Sequence, residues 1–293
     1  MGGTKALPRL QLEMDVYGLL NISIVVGCRP LIASSEFDPG PLSGSQHLSS
    51  LVRSCVDDRG PSTKKSVASA MSPTLMATHA EIRELLDVQE AKLKYASSAA
   101  KEVESLFRWS HLRWMAARTR LFEHWRDLVD ATIDGSTNNH LDLALCQATM
   151  LFERCIFEDM HSLEMRFQLT RLTYAMVVAS LQGIKPEFDI TQAATDTRKY
   201  DLLWIYSVGA WVEDSFSAAL SPSDTMQYAF FANQFTKLAA QLSFVSIGTM
   251  APPLCENYLY IPKHQDKPLQ RLLGINRQKP LSFRVQPLER KVS

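Results

Sequence analysis

The sequence predicts an all-α protein, an irregular multi-helix bundle around a central buried helix, with a disordered N-terminal linker. After Pro73, neither glycine nor proline occurs until Gly135, and neither occurs again until Gly183. Intervals this long without a helix breaker indicate long helices. Residues 202–212 are uncharged and apolar on every side of a helix. A helix without a polar face packs inside a protein, so we expect this stretch to form the centre.

The composition excludes several classes of protein. Hydrophobic residues make up 46% of the chain, charged residues make up 21%, and the formal net charge is zero. These values are ordinary for a soluble globular protein. No global charge attracts nucleic acid or an anionic membrane, so we expect neither direct DNA binding nor membrane association. The five cysteines are widely spaced, which does not suggest a disulfide framework and fits a reducing compartment.

The distribution of residues divides the chain into four parts. Serine, proline and glycine make up nearly half of residues 34–73, and such a segment lacks the apolar surface that offsets the entropy of ordering. The end of the chain carries eight lysines and arginines against two acidic residues, which predicts a solvated terminus. The predicted parts are a short apolar N-terminal segment (1–33), a disordered linker (34–73), an α-helical domain (74–262) and a basic tail (263–293).

The longest helical pattern covers residues 82–128, where apolar side chains recur alternately every fourth and third position. It predicts one long helix, or two helices that meet near residues 97–98 or Ser110. A homodimeric coiled coil through residues 82–128 is one interpretation. Polar and aromatic residues on the stripe favour packing against the protein's own core instead.

Local signals place the remaining helices. Gly183 is a helix stop, Asp189 begins a capping box before the central stretch, and Pro222 stands at a first helical position. The expected helices are residues 140–160, 163–182, one containing 202–212, 222–244, and a short one from Pro252 to Tyr260 that Pro262 closes.

No complete catalytic or metal-binding motif is found in the sequence, and we predict no catalytic residue, metal ligand or cofactor. Glu158 and His161 have the spacing of a carboxylate-bridged metal site, but the second copy that such a site needs is missing. His124 lies on the apolar stripe and is interpreted as a histidine at the edge of the core. The pair Asp57–Asp58 has no third aspartate and is a weak candidate for a metal site.

Aromatic residues are the remaining candidates for a binding site. Trp204, Tyr206, Trp211 and Phe230 either line a small-molecule pocket or pack the core. Core packing is the default for aromatic side chains at helical spacing. The two interpretations lead to different functions, because only a pocket would serve an enzyme or an effector-binding protein.

Three stretches are similar to one known family. Residues 199–211 read Lys-Tyr-Asp-Leu-Leu-Trp-Ile-Tyr-Ser-Val-Gly-Ala-Trp, residues 235–242 read Phe-Thr-Lys-Leu-Ala-Ala-Gln-Leu, and residues 255–260 read Cys-Glu-Asn-Tyr-Leu-Tyr. Together they resemble the fungal-specific transcription factor domain, which is the regulatory, middle homology region of zinc-cluster transcription factors. The similarity is best over residues 190–260 and extends back to about residue 78.

The resemblance implies an all-α regulatory domain that controls transcription through a protein partner or a small effector, in the nucleus or the cytoplasm, with the nucleus preferred. The DNA-binding module of that family uses six clustered cysteines to hold two zinc ions, and five scattered cysteines do not supply it. No catalytic residues are implied. The alternatives are an all-α enzyme with an aromatic-lined pocket, similar to terpene cyclases, and a helical scaffold or dimerisation protein.

Overall fold

The computed structural model describes residues 28–30, 32–56, 71–95, 101–133, 140–157, 163–183, 198–216 and 230–275. All regular structure within these ranges is helical, which confirms the predicted fold class. The helices are α1 (Gln46–Val56), α2 (Pro73–Tyr95), α3 (Lys101–Ile133), α4 (His140–Phe157), α5 (Leu163–Gly183), α6 (Lys199–Phe216), α7 (Phe230–Gln241), α8 (Ile247–Asn257) and α9 (Pro262–Ile275). Within the same ranges, none of these helices is long and apolar enough to cross a bilayer.

Helices α2 and α3 form an antiparallel pair. Ser72 Oγ lies 3.0 Å from His124 Nε2 at one end of the pair, and Lys92 Nζ donates to Ser110 Oγ at 3.2 Å towards the other. The predicted stripe over residues 82–128 is therefore divided between two helices, of which the first ends at Tyr95 and the second begins at Lys101. Its apolar residues on α2 and α3 are mostly buried within the protein, as expected for packing against its own core.

Helix α6 lies at the centre of the bundle. It packs against α4, α7, α8 and α9, and every residue from 201 to 213 is buried. The buried apolar residues around it form the larger of two apolar clusters, here called the main core. The predicted central buried helix is thus confirmed, and it is the element on which the other helices pack.

A second, smaller apolar cluster lies on another part of the α2–α3 pair. We call residues 32–56 the strap; it consists of two 3₁₀ turns, Ser34–Glu36 and Leu42–Gly44, followed by α1. Three of its apolar side chains are buried in this second core. The expectation of a disordered linker therefore does not hold for residues 34–56. Helix α1 is amphipathic, and its few apolar residues lie on one face, so a low overall apolar content is enough to pack it.

Several helix boundaries differ from the sequence-based expectations. Pro262 begins α9 instead of ending a helix, because proline is accepted at a first helical position and Gln265 Oε1 accepts the N–H of Ile261 at 2.7 Å. Residues 263–275 of the predicted basic tail therefore belong to a packed helix. Pro252 lies inside α8 and does not begin it. The motifs at Asp57–Asp58, Glu158–His161, Asp189 and Pro222 lie outside the described residues.

Candidate functional site around Trp204

Trp204 is the largest side chain with no exposed surface. Its ring stacks on Tyr258 with centroids 5.6 Å apart, and the edge of His79 meets it at 5.1 Å. Its indole Nε1–H donates to the backbone oxygen of Leu259 at 2.7 Å. A buried indole needs such an acceptor. Trp204 thereby connects the central helix to α2 and to the segment between α8 and α9.

His79 is a buried histidine on α2. Its Nε2 lies 2.9 Å from Thr149 Oγ1, and Thr149 donates its own hydroxyl proton to the backbone oxygen of Leu145. Nε2 must therefore carry the proton, which leaves Nδ1 as an acceptor. Nδ1 is buried and has no hydrogen-bond partner among the described residues. Burial lowers the pKa of His79 to about 3, so the imidazole is neutral at physiological pH.

Asp201 is a buried carboxylate in the first turn of α6. The hydroxyl of Tyr258 donates to its Oδ1 at 2.6 Å, and the carbonyl of Tyr258 accepts from Arg83 Nη2 at 3.2 Å. A carboxylate at this position also interacts favourably with the positive end of the helix dipole. We refer to His79, Thr149, Asp201, Trp204 and Tyr258 together as the Trp204 cluster.

A second buried carboxylate, Glu213, lies near the other end of α6. Its Oε1 accepts from the hydroxyl of Tyr174 at 2.6 Å and from the N–H of Phe231 at 2.8 Å, and its Oε2 accepts from the N–H of Ala232 at 2.8 Å. Two of these donors are N–H groups in the first turn of α7, which have no acceptor within the helix itself. Burial raises the pKa of Glu213 to about 7, although the three donors act in the opposite direction. Glu213 therefore joins α5, α6 and α7.

A third polar contact is formed by Ser72 and His124. Ser72 Oγ accepts the N–H of Leu75 at 3.2 Å, which makes it the cap of α2, and its other contact is the 3.0 Å hydrogen bond to His124 Nε2. A serine beside a neutral histidine is the first requirement of a serine nucleophile. Here the hydroxyl is already used as a helix cap. Burial lowers the pKa of His124 and raises that of nearby Asp142.

The four aromatic residues singled out in the sequence have different environments. Trp204, Tyr206 and Trp211 are buried in the main core, whereas Phe230 is only partly buried and packs against it. Trp211 meets Phe152 edge-on at 5.9 Å, and Tyr206 lies 6.4 Å from Phe231. These contacts are with other core residues. The first three therefore pack against other side chains of the main core.

Sequence reasoning did not identify the polar members of these sites. In the sequence, Asp201 and Glu213 are only the charged residues on either side of the apolar stretch, His79 and Thr149 belong to no motif, and Tyr258 is part of a stretch that resembles a family without being assigned a polar role. The capping box at Asp189 predicts an earlier start for the central helix, so the sequence did not place Asp201 in a first turn, where the structure has it. In the described ranges, no three histidine, cysteine, aspartate or glutamate side chains are grouped in a way that could hold a metal ion.

The chain was also compared with known proteins. No family model matches the sequence, and no curated protein or solved structure is significantly similar to it.

Proposed function

We propose that this protein is a transcription-regulator-like α-helical domain that acts by binding a protein partner or a small effector and does not itself read a DNA sequence. One observation carries the proposal. The three separate stretches that resemble the fungal-specific transcription factor domain meet in one core. Trp204 from the first stretch stacks on Tyr258 from the third, and Phe235 and Leu238 from the second are buried in the same cluster.

The polar chemistry of α6 also favours a regulatory module over an enzyme. Asp201 binds Tyr258, Trp204 binds the backbone of Leu259, and Glu213 caps α7. Each of these groups connects helices that are distant in sequence. A central helix used in this way organises a scaffold, and the surface of that scaffold remains available for a partner. The nucleus is the location that the resemblance implies.

A tethering experiment tests the proposal. The full chain is fused to a heterologous sequence-specific DNA-binding domain, and transcription of a matching reporter is measured in fungal cells. We expect the fusion to raise or lower transcription relative to the DNA-binding domain alone. The untethered chain should show no sequence-specific shift of duplex DNA.

Two variants control for folding. The fusion carrying Trp204→Ala should lose the effect because the central helix loses its packing, whereas Val245→Ser, at an exposed position, should keep it. A stably expressed wild-type fusion that leaves transcription unchanged would contradict the proposal. Tight, salt-resistant binding of the untethered chain to one duplex would also contradict it.

A further inference from the structure

The strap lies on the α2–α3 pair and covers its apolar surface. Leu42, Leu48 and Val52 are its buried apolar side chains. The rest of the second core is formed by side chains of α2 and α3, among them Leu85, Val88, Leu106, Trp109 and Met115. A short amphipathic helix lying in an apolar groove is a common mode of helix recognition between proteins.

Charge fixes the position of the strap. Asp38 accepts from Arg113 Nη1 at 2.9 and 2.7 Å and from Arg120 Nη1 at 2.7 Å. Arg120 also donates to Glu81 at 2.6 Å. Asp38 is therefore the carboxylate that the strap presents to two arginines of α3. Such charge-assisted hydrogen bonds are stronger and more directional than neutral ones.

Backbone contacts complete the recognition of the strap. The N–H of Leu42 donates to Glu84 Oε1 at 2.7 Å, and Trp109 Nε1–H donates to the carbonyl of Gly40 at 3.2 Å. These contacts would be available to any extended segment that enters the groove. Specificity therefore depends on Asp38 and on the spacing of the apolar side chains.

The strap is separable from the rest of the protein. None of its described side chains belongs to the main core, which is built around α6. Only three of its apolar side chains are buried, and every ordered residue costs conformational entropy, so the attachment of the strap also depends on the contacts of Asp38, Gly40 and Leu42. A competitor that made the same contacts would leave the main core in place.

We propose that the groove between α2 and α3 is a docking site for a segment of a partner protein that is built like the strap, with a carboxylate in a non-helical stretch ahead of an amphipathic helix, and that the strap occupies this site within the molecule. The partner carries a carboxylate in the place of Asp38, followed by apolar residues at the spacing of Leu42, Leu48 and Val52. This inference rests on the proposed function, because it names the chemistry of the partner that a regulatory domain would bind.

A peptide with the sequence of residues 32–56 serves as the probe. It is labelled with fluorescein, and its binding to the full chain is followed by fluorescence anisotropy in reducing buffer. We expect weak binding to the wild-type chain, because the strap competes for the groove. The chain carrying Asp38→Ala should bind the peptide about tenfold more tightly, since its own strap occupies the groove for less of the time.

The matched control is Asp127→Ala. Asp127 pairs with Arg29 at 2.7 Å on the surface, with both side chains more than half exposed, and such a pair contributes little. This variant should bind the peptide as the wild type does. A peptide carrying Leu48→Ala should bind neither chain. Equal binding to the wild-type and Asp38→Ala chains, or no binding to an Asp38→Ala chain that retains its helical circular dichroism, would overturn the proposal.

Hydrogen exchange on the wild-type chain gives a readout that needs no variant to fold. Amides of residues 46–53 should exchange faster when excess peptide is present, while those of α6 stay unchanged. Unchanged exchange of residues 46–53 at saturating peptide would overturn the proposal. A dimeric Asp38→Ala chain that does not bind the peptide would also overturn the proposal. It would indicate that two copies of the chain exchange their straps. Neither readout depends on transcription, so failure here is distinguishable from failure of the proposed function.

Discussion

Trp204 concentrates several interactions in one side chain. It is fully buried, it stacks on Tyr258, and its indole N–H bonds to Leu259. We predict that Trp204→Ala lowers the free energy of unfolding by about 3 to 5 kcal/mol, the range for truncation of a buried aromatic residue. Denaturation with urea, followed by circular dichroism, measures the change.

Trp204→Phe separates packing from hydrogen bonding. It keeps most of the stacking and leaves the Leu259 carbonyl without its donor, so we expect a smaller loss than for alanine, of about 1 to 3 kcal/mol. An alanine variant as stable as the wild type would show that the side chain does not hold the core together.

Gly209 allows the closest approach of α6 and α7. A Cβ atom at this position would overlap the ring of Phe231, which is itself fully buried. Alanine normally stabilises a helix relative to glycine. At Gly209 we predict the opposite, a loss of about 1 to 3 kcal/mol, because the ring cannot move without disturbing the core.

Gly274 in α9 is the control for helix propensity. Nothing lies within 4 Å of a Cβ built there. Gly274→Ala should therefore leave stability unchanged or raise it by up to about 1 kcal/mol in a thermal melt. If both alanine variants behaved alike, the contact between Gly209 and Phe231 would not be tight.

At the scale of elements, α7 is followed by a residue with an uncommon backbone conformation. Ser243 has φ of 59°, in the left-handed region that favours glycine. The N–H of Phe244 bonds to the carbonyl of Ala239, and that of Ser243 to the carbonyl of Ala240, which together form a Schellman motif. The sequence predicts a helix to about Phe244, whereas α7 ends at Gln241.

Ser243→Gly should stabilise the protein by roughly 1 kcal/mol, since glycine adopts this backbone conformation without steric cost. Differential scanning calorimetry would record the higher melting temperature. Ser243→Ala keeps the Cβ atom and should give no such gain. A lower melting temperature for the glycine variant would contradict the assignment of a strained cap.

At the scale of the whole molecule, pH acts on stability through two buried groups whose pKa values are shifted in opposite directions. The pKa of His79 is lowered to about 3 from 6.5. The unfolded chain therefore binds this proton more readily, and the stabilisation that is complete above pH 6.5 is lost as the pH falls towards 3. The slope from this group is about 1.4 kcal/mol per pH unit. His79→Gln should flatten the pH dependence of the unfolding free energy at acidic pH.

Glu213 gives the opposite slope. Its pKa is raised to about 7 from 4.5, so the stabilisation from its neutral form is complete below pH 4.5 and is lost as the pH rises through 7. Glu213→Gln should therefore remove a decline in stability over that interval. Denaturation curves that keep the wild-type slope in both variants would show that neither group titrates as its burial implies.

Much of the fold could be predicted because its helices are long and carry local signals. The intervals free of glycine and proline and the apolar stretch at 202–212 are sufficient to predict the bundle and its central helix. The buried carboxylates could not be predicted. Asp201 and Glu213 look like solvated flanks of an apolar run, and their partners Tyr258 and Phe231 lie 57 and 18 residues away in sequence. The packing of α1 could not be predicted from composition, because its apolar residues are few and lie on one face of a helix in a serine-rich segment.

The α2–α3 pair has one further consequence. Leu75 and Ile82 of α2 belong to the main core, whereas Leu85 and Val88 of the same helix belong to the second core. The two helices thus separate the main core from the second core, and each core packs against one side of the pair. The helix that lines the groove also carries His79, which contacts the indole of Trp204 in the main core. Trp109, whose indole N–H bonds to the Gly40 carbonyl of the strap, is therefore the tryptophan whose fluorescence would report a change of occupant in the groove.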